Sequence, residues 1–222
     1  MLSLGFGRSR QVSKKLTVLC LGAHCDDIPI GCGGTILSLI KKHGEIEIVW
    51  VVFCSTPKRE AEERRAAELF LKGVRRKKIL IRAHRDGFLP YYGIEIKEEF
   101  ERLKQECSPD LILTHYGNDK HQDHRIISEL TWNTYRNHLI LEYEIPKYDG
   151  DLGAPSVFVP LGSAVCRRKT VILVRAYRSQ NDKQWFVKDT FYALARLRGV
   201  ESGGGSQFAE AFYSRKLIVG WE

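Results

Sequence analysis

The chain has no apolar run approaching the ~20 residues that a membrane-spanning helix needs. The first fifteen residues carry Arg8, Arg10, Lys14 and Lys15 and lack the apolar core of a secretory signal. The expectation is a flexible basic lead-in over 1–15 and a cytoplasmic protein. Cysteine is scarce and unpaired in spacing: Cys20, Cys25, Cys32, Cys54, Cys107 and Cys166 form no C-x-x-C, and most sit in or beside apolar segments. That argues against a disulfide scaffold and for reduced, mostly buried thiols. No internal repeat and no linker splits the 222 residues, so 16–222 reads as one domain, long enough for a real core. The net charge of +8 is spread along the chain (Arg64, Arg65, Arg75, Arg76, Lys77, Lys78, Arg167, Arg168, Lys169) and not set in one stripe. No nucleic-acid-binding motif accompanies it. A solvated basic surface is expected, compatible with a small anionic substrate such as a phospho-sugar or nucleotide sugar.

What is present is a regular alternation of strand and helix patterns. Residues 16–23, 46–54, 79–81, 111–114 and 139–145 read as strands. Residues 33–43, 58–72, 95–106 and 124–138 read as helices; Pro57 opens the second and Gly73 closes it. This rhythm predicts an α/β fold, a Rossmann-like doubly wound, mostly parallel sheet with helices on both faces. A core order of 3-2-1-4-5 would make strands 1 and 4 neighbours at the topological switch point. The last third is less regular: a Pro/Gly-containing stretch over 149–162, a mixed segment over 169–177, a helix near 185–198, a glycine loop at 203–205, and an edge strand at 218–221.

Two clusters of metal-ligating residue types end strands 1 and 4: His24-Cys25-Asp26-Asp27 and His121-Gln122-Asp123-His124. His24 and Asp27 are three apart on a tight turn, so both can reach one ion, and His124 can supply a third ligand. Asp26 must then face elsewhere and is free to act as a general base. His121 could face the substrate and stabilise an oxyanion or protonate a leaving amine. Asp123 could orient an imidazole by hydrogen bond. Each cluster alone also has a plain structural use, an Asp-Asp pair as a helix N-cap or a His pair on a surface. Their joint placement at adjacent strand ends carries the metal-site reading. Gly31-Cys32-Gly33-Gly34 lacks the G-x-G-x-x-G spacing of a dinucleotide fingerprint. A metal-free, Rossmann-like binder of nucleotide sugars therefore has only weak support.

At these residues the chain resembles the PIG-L (LmbE-like) N-acetylglucosaminyl deacetylase family. Ala23-His24-Cys25-Asp26-Asp27 is similar to the family's A-H-P-D-D motif, and His121-Gln122-Asp123-His124 to its H-x-D-H motif. Arg65-Ala66-Ala67-Glu68, Asp86-Gly87, Ser108-Pro109-Asp110, Ser179-Gln180, Arg198-Gly199 and Phe208-Ala209-Glu210-Ala211-Phe212 extend the resemblance. It implies a zinc-dependent hydrolase, with ferrous iron as the alternative ion, that releases acetate and a free amine from an N-acetylated amino sugar or its conjugate. It also implies His24, Asp27 and His124 as metal ligands, Asp26 as base, His121 and Asp123 as assisting residues, and Arg65 and Asp86 as substrate contacts. The implied partner is a small N-acetylated sugar, nucleotide sugar or phospho-sugar, with neither nucleic acid nor membrane; a homo-oligomer is compatible. An amidase acting on a larger sugar conjugate is the alternative within the same chemistry. Three departures stand out. Cys25 replaces the motif's proline, as a small residue the turn tolerates, the alternative being a thiolate that competes for zinc. Ile28-Pro29 replaces an acidic continuation. Tyr116 lies out of register with a tyrosine that some members use.

Overall fold

The structure, a computed structural model, describes residues 15–218. Most of the basic lead-in and most of the strand expected at 218–221 lie outside the described residues. Seven strands form one sheet in the order β3-β2-β1-β4-β5-β7-β6. They are β1 (Leu16–His24), β2 (Ile46–Cys54), β3 (Arg76–His84), β4 (Leu111–His115), β5 (Leu139–Tyr143), β6 (Val157–Leu161) and β7 (Phe208–Tyr213). The first five pair in parallel, and β7 runs antiparallel to both β5 and β6. The expected 3-2-1-4-5 core is therefore present, with two antiparallel strands added at one edge.

The helices are α1 (Asp27–Lys42), α2 (Pro57–Phe70), α3 (Gly93–Glu106), α4 (Gln122–Thr134), α5 (Ser163–Ala176) and α6 (Lys188–Glu201). β1 explains why they cover both faces. Val18 and Cys20 pack into one apolar cluster with Ile28, Phe70 and Ile172 of α1, α2 and α5. Leu19 and Leu21 pack into another with Ile96, Phe100 and Ile127 of α3 and α4. A strand buried on both faces has no polar side to show, hence its nearly continuous apolar run.

Several boundaries differ from the sequence expectation. α1 begins at Asp27, not 33, because its glycines lie inside the helix. A Cβ on Gly31 would stand 2.1 Å from Cδ2 of the buried Tyr143, so the helix packs its backbone onto that ring. The segment over 169–177 belongs to the longer α5, whose pattern is masked by Lys169; this lysine is buried against Glu210 (2.6 Å). A strand, β6, lies within the Pro/Gly stretch, and the antiparallel strand after α6 is β7, upstream of the 218–221 segment.

Candidate metal centre

Parallel pairing of β1 with β4 brings the two clusters together. β1 ends at His24, and Asp26 caps α1 with φ 102°, ψ −22°, the left-handed region. That sharp reversal sets Asp27 as the first helical residue and turns its carboxylate back, where Oδ2 accepts the His24 backbone N–H (2.6 Å). On the other side, His121 caps α4, its Nδ1 accepting the Asp123 N–H (3.2 Å), and α4 presents His124 in its first turn.

Three donors converge. His24 Nδ1 lies 3.1 Å from His124 Nε2 and 3.3 Å from Asp27 Oδ2, and His124 Nε2 lies 3.6 Å from Asp27 Oδ1. These separations bracket the ~3.3 Å between donors of a tetrahedral zinc with ~2.0–2.1 Å bonds; Asp27 meets His24 through Oδ2 and His124 through Oδ1, so a shared ion would draw one Asp27 oxygen toward both rings. Charge fits as well. Burial pushes the His24 ring down, but Asp27, Asp123 and Asp86 around it outweigh this and raise it well above its ordinary value. The position thus calls for a positive charge, which a metal on Nδ1 supplies in place of a proton. Burial and the neighbouring His115 push His124 down to about 3, leaving the neutral imidazole that a metal requires.

The carboxylates divide their work. Asp119 Oδ2 sits 2.9 Å from His124 Nδ1 and orients that ring. Asp123 Oδ2 sits 3.2 Å from His24 Nε2, and its carboxylate also accepts the backbone N–H groups of Gly87 (2.7 Å) and Leu89 (3.1 Å). Asp26 is turned toward α2, where Arg59 Nη2 lies 3.0 Å from its Oδ2 and donates to the Cys25 carbonyl. Burial pushes the Asp26 carboxyl up to about 6 against the pull of Arg59. Its backbone N–H donates to Glu63 Oε2 (3.0 Å), a fully buried carboxylate that also accepts from Trp50 Nε1 (2.7 Å) and the Tyr177 hydroxyl (2.6 Å).

These groups open into a cavity of about 710 Å³, lined among others by Arg59, Arg85, Asp86, His121, Lys183 and Trp185. Burial and the nearby His24 push His121 below its ordinary value, so its ring is neutral near pH 7 in the absence of a metal. Asp86 lies on the cavity wall, with its Oδ1 3.1 Å from His24 Nε2. Arg65 is not brought in: it lies on the exposed face of α2, and Arg59 stands at the cavity in its place. Cys25 Sγ donates to the Cys54 carbonyl (3.6 Å), and Cys25 belongs to none of the metal-donor groups among the described residues. Tyr116 stacks on Tyr213 (ring centroids 3.7 Å apart).

Sequence reasoning missed Asp119, His115, Arg59 and Glu63. Asp119 had a signal, an acid two residues before His121 in the same loop. Arg59 had one too: it shares the buried α2 face of Glu62, Glu63 and Ala66, whereas Arg65 does not. His115, the last residue of β4, is fully buried with Nε2 accepting the Ala23 N–H (2.9 Å) and its ring stacked on His124 at 3.9 Å.

Residues 19–135, more than half of the chain, match the family model described as PIG-L: GlcNAc-PI de-N-acetylase. The chain belongs to the PIG-L family. Solved structures with the same fold include the N,N'-diacetylchitobiose deacetylase of Pyrococcus horikoshii, 23% identical with TM-score 0.69, covering 89% of this chain and 83% of that one. The conserved protein TT1542 from Thermus thermophilus is 24% identical with TM-score 0.71, covering 93% and 99%. GalB, the 4-carboxy-2-hydroxymuconate hydratase of Pseudomonas putida KT2440, is 15% identical with TM-score 0.70, covering 94% and 99%. At these identities the likeness establishes the fold, and within the PIG-L chain the chemistry must be argued from the site.

Proposed function

We propose that this PIG-L protein is a zinc-dependent N-deacetylase of an N-acetylated amino sugar carried on a further group. The observation that carries this reading is the donor triangle of His24, Asp27 and His124 with the Asp26 carboxyl beside it at the cavity. Membership of a family whose model is described as a de-N-acetylase supports it. A zinc ion held by these three residues would supply a Lewis acid that polarises the acetyl carbonyl and activates a water.

The chain's own residues do the rest. Asp26 accepts the proton of the attacking water, a role suited to a carboxyl raised to about 6. Glu63 and Arg59 fix Asp26 from its backbone and side-chain ends, so the base is already oriented when substrate arrives. Asp119 and Asp123 hold the two ligand rings. His121, on the cavity wall, stabilises the developing acyl oxyanion through its N–H, or relays to the departing nitrogen the proton that Asp26 took from the water. Water adds to the acyl carbon, the C–N bond breaks, and acetate and a free amine result.

The cavity volume favours a conjugate over a bare monosaccharide, since ~300–1,000 Å³ is the range of pockets that enclose drug-sized ligands. Arg85 and Lys183 on its wall suit an anionic group such as a phosphate. The test is a panel of N-acetyl sugars, sugar phosphates, nucleotide sugars and disaccharides offered to the zinc-loaded protein, with acetate and amine measured together. Equimolar acetate and amine from at least one conjugate is expected. Amine released with a different acid would point to the broader amidase. No amine from any substrate would contradict the reading.

A further inference from the structure

The His24 ring has a second edge. Its Nε2 faces away from the donor triangle toward Asp86 Oδ1 at 3.1 Å and Asp123 Oδ2 at 3.2 Å. Cys54 Sγ, at the end of β2, lies 3.9 Å from the same Asp123 oxygen. Nitrogen, sulfur and carboxylate oxygen of His24, Cys54 and Asp123 all fall within 4.8 Å of one another. One N–H cannot satisfy two carboxylates from two different segments, so Nε2 is surrounded by more acceptors than it can serve. The Cys54 thiol likewise faces two acceptors, Asp123 Oδ2 and the Arg85 carbonyl at 3.8 Å. A surplus of negative and lone-pair donors around one point, mixing imidazole, thiol and carboxylate, suits a borderline-soft divalent cation. His24, Cys54 and Asp86 all line the cavity, which provides the way in.

We infer that His24 Nε2, Cys54, Asp123 and Asp86 form a second, weaker site for a zinc-like divalent ion, sharing His24 with the first. The inference rests on the proposed role of His24 Nδ1 in the first site. On entry the ion displaces two protons, one from the Cys54 thiol and one from His24 Nε2, and both pass to solvent; His24 then bridges the two ions. Asp123 keeps its backbone donors, because a carboxylate oxygen can accept a hydrogen bond and bind a metal at once.

The test is titration of the metal-free chain with cobalt(II), followed by absorption spectroscopy and equilibrium dialysis. The first equivalent should bind without a thiolate-to-cobalt charge-transfer band, because the first site has only nitrogen and oxygen donors. The second should bind more weakly and bring that band. Cys54→Ser should keep the first equivalent with its spectrum and lose the band, and Cys25→Ser should keep both. Asp86→Asn, a change at a side chain 77% exposed that should leave folding intact, should weaken the second equivalent about tenfold or more. No thiolate band at excess cobalt, a band that survives Cys54→Ser, or a band on the first equivalent would each overturn the second site. Failure of the first equivalent to bind at all would overturn the first-site reading along with it.

Discussion

Asp26 is the only non-glycine residue with positive φ among the described residues. A side chain in that region costs of order 1–3 kcal/mol and persists only where its surroundings hold it. Here the restraint is visible: Glu63 takes the backbone N–H and Arg59 the carboxylate. Because Asp26 contacts the proposed base path and not the donor triangle, Asp26→Asn should keep the metal and cut turnover by about 10²–10⁴. Metal analysis beside steady-state rates checks both halves; a variant that loses zinc would reassign Asp26 to the ligands. Glu63 makes a second prediction. Burial pushes it from an ordinary 4.5 to about 7, so the folded chain binds its proton more tightly than the unfolded chain. Its contribution is full below about pH 4.5 and is lost as pH rises through about 7. Of order 1–3 kcal/mol of pH-dependent stability should therefore vanish in Glu63→Gln. Thermal unfolding at about pH 5 and pH 8 tests this, and an unchanged slope in the variant would refute it.

α1 is the element that ties the site to the core. Its glycine-rich first half resembles a phosphate loop only in composition. In the structure Gly31 is a contact surface for Tyr143, and the Gly34 and Thr35 N–H groups donate to Glu210 (2.8 and 2.6 Å). Gly31→Ala would drive a methyl into a buried ring, and overpacking of this kind costs about 1–3 kcal/mol. Urea denaturation should show that loss, with any fall in activity following the loss of fold; wild-type stability would mean the helix can shift. The same helix shows why its start was misplaced from sequence. Glycine lowers helix propensity by ~1 kcal/mol against alanine, and here packing outweighs that preference. β1, β2, β4 and β5 were legible because burial on both faces writes a continuous apolar run, and the two His/Asp clusters stood out because strand ends collect chemistry; the edge strand β3, with no buried residue, was legible only over its central 79–81. Arg59 was not, because the resemblance pointed to Arg65, six residues along α2 and on another face.

At the scale of the molecule, the motif-bearing β1–β5 half is closed by β6, β7, α5 and α6. A buried ion pair within the closing half, bonded to the α1 backbone, and a second that spans the two halves hold them together. Lys169 reaches Glu210 at 2.6 Å and also donates to the Ile30 carbonyl of α1, while Arg198 grips Glu144 through two bonds of 2.7 Å. Removing one partner strands the other charge, so Lys169→Ala should cost about 3–5 kcal/mol in urea denaturation. A near-neutral effect would mean that Glu210 is stabilised by the α1 amides alone. This closure was the part hardest to read in advance, because its strands are short, antiparallel and interrupted by Pro160, and their partners are far off in sequence.

We propose above all that His24, Asp27 and His124 hold a metal on which activity depends. Elemental analysis of the dialysed wild type and His124→Ala, both verified as folded, tests it most directly. About one tightly held zinc per wild-type chain is expected and almost none in His124→Ala, with amine release lost in parallel. A metal-free wild type that hydrolyses its substrate at full rate, or a His124→Ala protein that keeps its zinc, would contradict it.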